Sequence, residues 1–223
     1  HVVLVPLFLL VLVVLHVLAL HEVGSNNPDG VDIKKTTDDM GKPLDGIPFH
    51  PYFTLGKLPA IIVFLFLFCA VLFFYPDGGG YLIEQPNYGP ADPLKMPELI
   101  APVWYYTPFY SMLRAATFPL FGLDAKLWGL IVMAGAIAIP FVLPWLDKSP
   151  VKSMRYKGLG SKIMLGLFVV SFFILGYLGT VHPTPGRTVL AQVCTGIYFA
   201  YFLLMPWYTA VEKTKSVPER VTM

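Results

Sequence analysis

Residues 1–20 read HVVLVPLFLLVLVVLHVLAL, an uncharged stretch whose polar side chains are the imidazoles of His1 and His16. Twenty residues in an α-helix are about 30 Å long, the thickness of the hydrocarbon core of a bilayer. Fifteen positions separate the two histidines, so along a helix the imidazoles lie about 22 Å apart and about 60° around the axis from each other. Imidazole is the usual axial ligand of b-type haem iron. The spacing therefore suits two haems stacked across a membrane, one near each face.

The rest of the chain continues this membrane pattern. Hydrophobic residues make up 56% of the 223 residues and charged residues 13%, about half of the ~25% that is typical of soluble domains. Uncharged stretches of span length recur at residues 58–75, 127–146, 163–181 and 188–208. The composition excludes a soluble protein and predicts an all-α integral membrane protein with five transmembrane helices. We expect lipid around these helices and no nucleic-acid partner.

The basic residues are distributed unevenly between the two sides that these spans define. Twelve of the sixteen lysine and arginine residues lie in the loop after the first span, in the loop between the third and fourth spans, and in the C-terminal tail. Because basic residues accumulate in cytoplasmic loops, these segments are predicted to face the cytoplasm. His1 then lies near the outer face of the membrane, and His16 and His21 lie near the inner face.

Residues 76–126 form the longest loop, and its composition indicates an ordered structure. It contains prolines spaced from Pro86 to Pro119 and the aromatic block WYYTPFY at residues 104–110. Spaced prolines stiffen the backbone and start short helices, and long ordered loops are usually functional. We expect a short helix that lies on the outer face and folds back over the bundle, with apolar and aromatic residues lining a pocket. An aromatic belt at the membrane interface is an equally good interpretation of the composition alone.

The first residue is a histidine at a predicted ligand position, and neither an initiator methionine nor a signal-peptide pattern precedes it. We therefore expect these residues to be the C-terminal part of a longer polypeptide. Cys69 and Cys194 both fall inside spans, and no CxxC or CxxCH motif occurs. The segment itself therefore offers no ligands for an iron–sulfur cluster and no attachment site for c-type haem.

Two short motifs are specific for a known family. Residues 47–52 read IPFHPY, and residues 102–105 read PVWY. Together with the stretch WLDKSPVKSMRYK at residues 145–157, they resemble cytochrome b of the quinol–cytochrome c reductase, the bc1 complex or respiratory complex III, in its proteobacterial form. The resemblance extends over the whole chain. It implies the C-terminal part of an eight-helix bundle, from the fourth transmembrane helix onward, in a bacterial inner membrane.

The resemblance also assigns roles along the chain. His1 is implied to ligate the lower-potential haem b and His16 the higher-potential one. The second axial ligand of each haem lies, in the family, on a helix of the missing N-terminal half. We expect five segments: a haem-ligating helix at residues 1–21, a cytoplasmic loop with quinone-reduction residues at 22–57, a transmembrane helix at 58–75, a periplasmic quinol-oxidation loop at 76–126, and a C-terminal three-helix membrane domain at 127–223.

The resemblance places His21, Ser25 and Asn26 at a quinone-reducing pocket just beyond the inner haem. An imidazole there can hydrogen-bond a quinone carbonyl and donate a proton to it, although a solvated histidine at the loop edge is the simpler interpretation of the residue alone. The family carries an aspartate seven residues after the histidine of its His-Pro-Tyr motif, and this chain has Lys57 there. Lys57 either donates to the quinone or anchors the start of its helix at the headgroups.

The PVWY block corresponds to the quinol-oxidation motif of the family, whose second residue is typically a glutamate that accepts a proton from quinol. Val103 stands at that position and has no proton-accepting group. Glu98 is the nearest carboxylate, and it either replaces that glutamate or serves as an acid in the first turn of the short helix. Trp104 and Tyr105 are implied to wall the site, and Tyr110 resembles the tyrosine of the family's pocket.

The activity that the resemblance implies is oxidation of ubiquinol at the periplasmic side. One electron goes to a Rieske iron–sulfur subunit and on to a cytochrome c1 subunit. The other crosses the membrane through two b haems and reduces quinone at the cytoplasmic side, which translocates protons. The complex is implied to be a homodimer.

Two other functions fit parts of the pattern. A haem b membrane anchor of a periplasmic dehydrogenase or hydrogenase would also carry intramembrane histidines, but such anchors usually lack a long proline-rich loop with a Pro-x-Trp-Tyr block. A transporter predicts broken spans in two matched halves. Pro140 and Pro144 in the third span hint at such a break, and no matching half accompanies them.

Overall fold

The computed structural model describes residues 1–78, 89–90, 92–95, 100–119 and 122–222. Regular structure within these residues is helical, and β-type pairing is limited to isolated bridges such as that between Thr37 and Pro43. Eight α-helices follow one another along the described chain: α1 Leu4–Val23, α2 Thr54–Phe74, α3 Thr107–Ala115, α4 Ala125–Ala138, α5 Leu143–Leu146, α6 Leu159–Thr180, α7 Pro185–Leu203 and α8 Met205–Val211.

Several of these helices have the length and composition of membrane spans. Four helical segments of the described chain qualify, namely Leu4–Val23, Phe49–Phe74, Ala125–Leu146 and Leu159–Thr180. The helices α7 and α8 meet at a bend of 54° and supply a fifth span if they cross the membrane as one broken helix. The predicted all-α membrane fold is therefore confirmed, with four spans in the described chain and a fifth if α7 and α8 cross the membrane together.

Polar side chains and prolines mark where the helices begin and break. Asp124 Oδ1 accepts a hydrogen bond from the backbone N–H of Leu127 at 2.8 Å, which caps the start of α4 because the first N–H groups of a helix have no partner within it. After Ala138 the helix gives way to the 3₁₀ turn Ile139–Val142 and then to α5. Pro140 lies in this turn, and proline cannot donate to the helical hydrogen-bond ladder.

The start of α1 differs from the prediction. The helix begins at Leu4, so His1 lies before it, whereas His16 and His21 lie within it. His1 thus stands three residues before the first residue of α1.

The chain packs into two compact units. The first, which we call the loop unit, consists of His1–Gly46, Ser149–Lys162 and Tyr208–Met223. The second, which we call the helix unit, consists of Ile47–Lys148 and Ile163–Trp207. The loop unit thus gathers segments predicted to face the cytoplasm, together with α1.

The core of the helix unit lies between α3, α4, α6 and α7. Met112 of α3, Ala136 of α4 and Leu175 of α6 are fully buried there. Tyr198 of α7 packs its ring 5.2 Å from that of Phe168, centroid to centroid, and donates its hydroxyl to the carbonyl oxygen of Ala136 at 2.9 Å. This hydrogen bond satisfies a buried phenol inside an otherwise apolar core. The short helix α3 is therefore a part of the core and not a loose surface element.

Candidate functional site

The short helix α3, within the predicted quinol-oxidation loop, packs closely against its neighbours. A Cβ added at Gly179 of α6 would overlap the carbonyl oxygen of Thr107, and one added at Gly129 of α4 would lie 2.5 Å from that of Leu113. Glycine at these two positions lets the backbones approach more closely than any side chain would allow. The buried residues of α3 are Thr107, Pro108, Ser111, Met112 and Ala115. The short helix predicted in this loop is present, and it rests on α4 and α6.

The C-terminal end of α3 is tied down by polar side chains. The guanidinium of Arg114 donates from Nη1 to the carbonyl oxygen of Val181 at 3.2 Å and from Nη2 to that of Leu178, near the end of α6. A guanidinium there satisfies carbonyls that have no partner within the helix, and it complements the helix dipole. From α7, Gln192 Nε2 donates to the carbonyl oxygen of Ala115 at 3.0 Å. The orientation of α3 is therefore set by both α6 and α7.

The residues predicted to form the outer site lie at the other end of α3. Val103, Trp104 and Tyr105 precede the helix with exposed side chains, Trp104 keeping 82% of its surface accessible. The rings of Trp104 and Tyr105 meet edge to face with their centroids 5.6 Å apart. Tyr110 lies in the first turn of α3 and is half-buried. Trp104 and Tyr105 are thus in contact at an open surface, the ring of Tyr110 lies 4.8 Å from the guanidinium carbon of Arg114, and Glu98 lies outside the described residues.

The close contact at Gly179 leads to a stability prediction. We expect Gly179→Ala to lower the free energy of unfolding by about 1–3 kcal/mol, the usual effect of overpacking, because the new methyl group would push α3 away from α6. The measurement is thermal unfolding of the purified protein in detergent, followed by circular dichroism.

Gly166→Ala is the matched control on the same helix, since a Cβ at Gly166 meets no atom within 4 Å. Alanine is the better helix former, so this variant is expected to unfold at the temperature of the parent or slightly above it. Equal melting temperatures for the two variants would contradict the packing of α3 on Gly179.

The helix α1 carries His16, the stronger of the two predicted haem ligands. No residue of α1 is buried, and the His16 imidazole is exposed in the middle of the helix. An accessible imidazole on an apolar helix surface fits an axial ligand of haem, whose macrocycle needs an open apolar face beside the ligating nitrogen. His1, before the helix, is exposed as well. Both side chains are therefore accessible to a haem.

The predicted quinone-reduction residues follow at the end of α1. His21 lies in its last turn, and the helix ends at Gly24, whose φ of 88° is a conformation that glycine adopts readily. Ser25 and Asn26 come next, and both are exposed. The backbone N–H of Asn27 donates to Asn26 Oδ1 at 2.9 Å. The three predicted site residues thus lie within six positions of the chain, at the C-terminal end of α1.

A carboxylate that the sequence analysis did not single out lies four residues after Ser25. Asp29 is fully buried, and its Oδ1 accepts hydrogen bonds from the Tyr156 hydroxyl at 2.7 Å and from Arg155 Nη1 at 3.1 Å. Its Oδ2 accepts two more, from the backbone N–H and the hydroxyl of Thr222, both at 2.8 Å. These hydrogen bonds, that from Tyr156 above all, lower the pKa of Asp29 to about 2.

The pattern around Asp29 explains why it was missed. It belongs to the tetrapeptide Asn-Pro-Asp-Gly at residues 27–30, which is typical of an exposed turn. A usable signal was the distribution of charge, because residues 21–46 carry six acidic side chains while residues 149–162 carry four basic and no acidic ones. Segments of opposite charge attract each other, and the loop unit contains both.

Lys57 lies in the first turns of α2, within the helix unit. Its side chain is exposed, and its Nζ lies 5.1 Å from the centroid of the Phe53 ring, four residues earlier. An ammonium group over an aromatic face is a cation–π contact, which holds the side chain along the start of its own helix. The two roles considered for Lys57, donor to a quinone and anchor at the headgroups, stay predictions.

Comparison with known proteins gives two matching family models. The model described as cytochrome b(N-terminal)/b6/petB matches residues 1–108, and the model described as cytochrome b(C-terminal)/b6/petD matches residues 90–199. The chain is 54% identical to a cytochrome b of Allochromatium vinosum over 98% of the chain and 53% of that relative. It is 37% identical to a cytochrome b of Rickettsia typhi over 97% of the chain and 50% of that relative.

A solved structure agrees with these relatives. A chain of a structure titled hyperthermophilic respiratory complex III superposes with a TM-score of 0.80 at 32% sequence identity, covering 95% of this chain and 50% of the other. The chain therefore spans about half the length of the curated relatives and of the solved chain that it matches.

Proposed function

The chain belongs to the cytochrome b family, and on that basis we propose that it works as part of the cytochrome b subunit of a ubiquinol–cytochrome c reductase. In the proposed reaction, ubiquinol loses two electrons and two protons at the outer side of a bacterial inner membrane. One electron passes to a Rieske iron–sulfur subunit and then to a cytochrome c1 subunit. The other is used to reduce quinone at the inner side, so that protons are released outside and taken up inside.

The observation that carries this proposal is the docking of α3. Its buried side is fixed against α4, α6 and α7, while Trp104 and Tyr105 remain exposed at its start. A rigid helix that presents aromatic side chains at an open surface suits an apolar quinol ring, because such sites are mostly apolar with a few polar groups. In this proposal Trp104 and Tyr105 orient the ring and exclude water, and Tyr110 borders the site from within α3.

We propose Glu98 as the base of this outer site. A quinol hydroxyl must transfer its proton to a group within hydrogen-bond reach or one water away, and Val103 offers no acceptor. The carboxylate of Glu98 would accept the proton, and its own O–H would then release it to the outer water.

We propose His1 and His16 as axial ligands, one for each of two b haems, with His1 at the lower-potential haem. Haem b, when bound, supplies one-electron transfer between the two membrane faces. The second ligand of each haem would come from the N-terminal half of the protein, which precedes this segment in the family. Because the His16 imidazole is exposed on an apolar helix, it needs no rearrangement of α1 to become a ligand.

At the inner side, His21 is the proposed proton donor to quinone. An imidazolium at this position can give up a proton to a quinone oxygen and regain one from the cytoplasm. Ser25 and Asn26 would hydrogen-bond the quinone, and Lys57 either joins them or anchors α2. The complete assembly would be a homodimer embedded in lipid.

A prediction for Glu98 tests the outer half of this function. In the unmodified complex, quinol is expected to reduce a b haem, and Glu98→Gln is expected to slow that reaction by about 10²-fold, the usual contribution of a general base. The measurement is quinol-driven haem reduction followed optically after rapid mixing, between pH 5 and pH 9.

Two double variants supply the comparison. Val103→Glu added to Glu98→Gln should restore part of the rate, because it supplies a carboxylate two residues from Tyr105, whereas Val103→Gln should not. An unchanged rate and pH profile in Glu98→Gln would reject Glu98 as the base. A parent complex whose b haems are not reduced by quinol would reject the proposed function itself.

A further inference from the structure

We propose that Asp29 is a positioning residue for the quinone-reducing site. By accepting four hydrogen bonds from two other segments of the loop unit, it would fix the turn that carries Ser25 and Asn26. The inference rests on the proposed function, because it assigns Asp29 a role only if quinone is reduced next to those residues. Asp29 lies outside the IPFHPY and PVWY motifs.

The bonds to Asp29 come from parts of the chain that are far apart in sequence. Arg155 and Tyr156 belong to the segment between α5 and α6, and Thr222 belongs to the C-terminal tail. A carboxylate shared by three segments holds them at fixed distances, and hydrogen bonds to an ionised group are stronger than neutral ones. Because the carboxylate is fully buried, Asp29→Asn would keep one accepting oxygen and turn an NH2 group towards the donors that bond the other oxygen.

The turn around Asp29 is itself docked on the same segment. The hydroxyl of Ser153 donates to the carbonyl oxygen of Pro28 at 2.5 Å. Gly30 has a φ of +72°, and a Cβ added there would lie 3.0 Å from the backbone nitrogen of Ser153. The backbone of this turn therefore touches the backbone of the neighbouring segment, and its position follows from that contact together with the Asp29 bonds.

Hydrogen bonds within the turn connect Asp29 back to Asn26, one of the proposed site residues. The backbone N–H of Asp29 donates to Asn27 Oδ1 at 3.2 Å, and the same oxygen accepts from the backbone N–H of Val31 at 3.1 Å. The Asn27 N–H in turn donates to Asn26 Oδ1. Displacing Asp29 would thus move Asn27 and, through it, the side chain of Asn26. The consequence is a change in where the amide group of Asn26 lies, next to Ser25 in the chain.

The pKa of Asp29 determines the pH dependence that is expected when it is substituted. The pKa of Asp29 is lowered to about 2 from 3.8, so its folded-state bonds stabilise the protein above pH 4 and are lost as the pH falls from there towards 2. Between pH 6 and pH 9 the carboxylate stays ionised. An effect of Asp29 substitution on quinone reduction should therefore be constant over that range.

The test is Asp29→Asn in the complete, haem-loaded complex. Re-oxidation of the inner haem by added ubiquinone is expected to slow about tenfold, since a misplacement of about 1 Å can cost up to ~10²-fold. Its half-saturating quinone concentration should rise, with the slowing constant from pH 6 to pH 9. Haem content and quinol-driven haem reduction at the outer side should stay at the parent level. This selective loss is a result that a merely structural role would not produce.

Asp45→Asn is the matched control, because Asp45 lies in the same loop and pairs with Arg220 at 2.7 Å in the same C-terminal tail. It should leave inner re-oxidation within about twofold of the parent, since none of the bonds given for Asp45 leads to Ser25 or Asn26. Tyr156→Phe removes one of the four bonds to Asp29 and should slow the same step less than Asp29→Asn does. If Asp29→Asn does not assemble, the same rates are measured in Tyr156→Phe instead.

Three results would overturn the proposal. They are parent-level inner re-oxidation in Asp29→Asn, equal slowing at both sides, and failure of both Asp29→Asn and Tyr156→Phe to assemble. A parent complex that shows no quinone-dependent re-oxidation would instead reject the proposed function. Failure of the inference and failure of the function are therefore distinguishable in one set of measurements.

Discussion

Replacing His16 by leucine in the full-length protein is expected to abolish binding of the inner b haem while the outer one is retained. The imidazole of His16 is the proposed axial ligand, and leucine has a similar volume but no donor atom for iron. Electron transfer from the outer to the inner side should then fall below detection. The measurement is haem content per chain, together with the optical spectrum of the dithionite-reduced protein.

His182→Leu is the control for this variant, because His182 is an exposed histidine in the connection between α6 and α7. It should keep the full haem content, since no role in haem binding is proposed for it. Retention of both low-spin haems in His16→Leu would contradict the assignment of His16 as a ligand.

The second large effect is expected at the inner side. His21→Leu should slow re-oxidation of the inner haem by about 10²-fold, the contribution typical of a positioned acid or base, because the quinone loses its proton donor. Quinol-driven reduction at the outer side should be unchanged. Both rates are measured by following haem absorbance after rapid mixing, and a parent-level inner rate in His21→Leu would remove the residue from the mechanism.

Lys57→Met shows which role Lys57 has at that site. Methionine keeps the length and apolar stem of lysine but loses the ammonium, which could otherwise stabilise an anionic quinone by hydrogen bonding and charge. Loss of the EPR signal of the half-reduced quinone would indicate a direct contact with quinone. An unchanged signal would leave Lys57 as an anchor of α2, in agreement with its contact to Phe53.

Much of the fold could be predicted because hydrophobic span length is a local property of the sequence. Uncharged stretches predicted the spans, and the spaced prolines before the aromatic block predicted the short helix that the structure places at Thr107–Ala115. The glycine contacts that hold this helix were not predictable, because the partner of Gly179 is 72 residues away in the chain and its identity depends on tertiary packing.

The histidines of the candidate site could be predicted from the sequence, whereas Asp29 could not. The histidines stood out because ionisable side chains are rare within spans, whereas Asp29 lies in a turn pattern that gives no sign of burial. Its importance depends on bonds from Tyr156 and Thr222, which are more than 120 residues away.

The most direct test of the central claim is a reduced-minus-oxidised spectrum of the purified complex that contains this chain, with ubiquinol as the reductant. We expect two low-spin b haems per cytochrome b chain, at different midpoint potentials, with the lower-potential haem lost when His1 is replaced and the higher-potential haem lost when His16 is replaced. A complex with no b haem, or with b haems that survive both replacements, would contradict it.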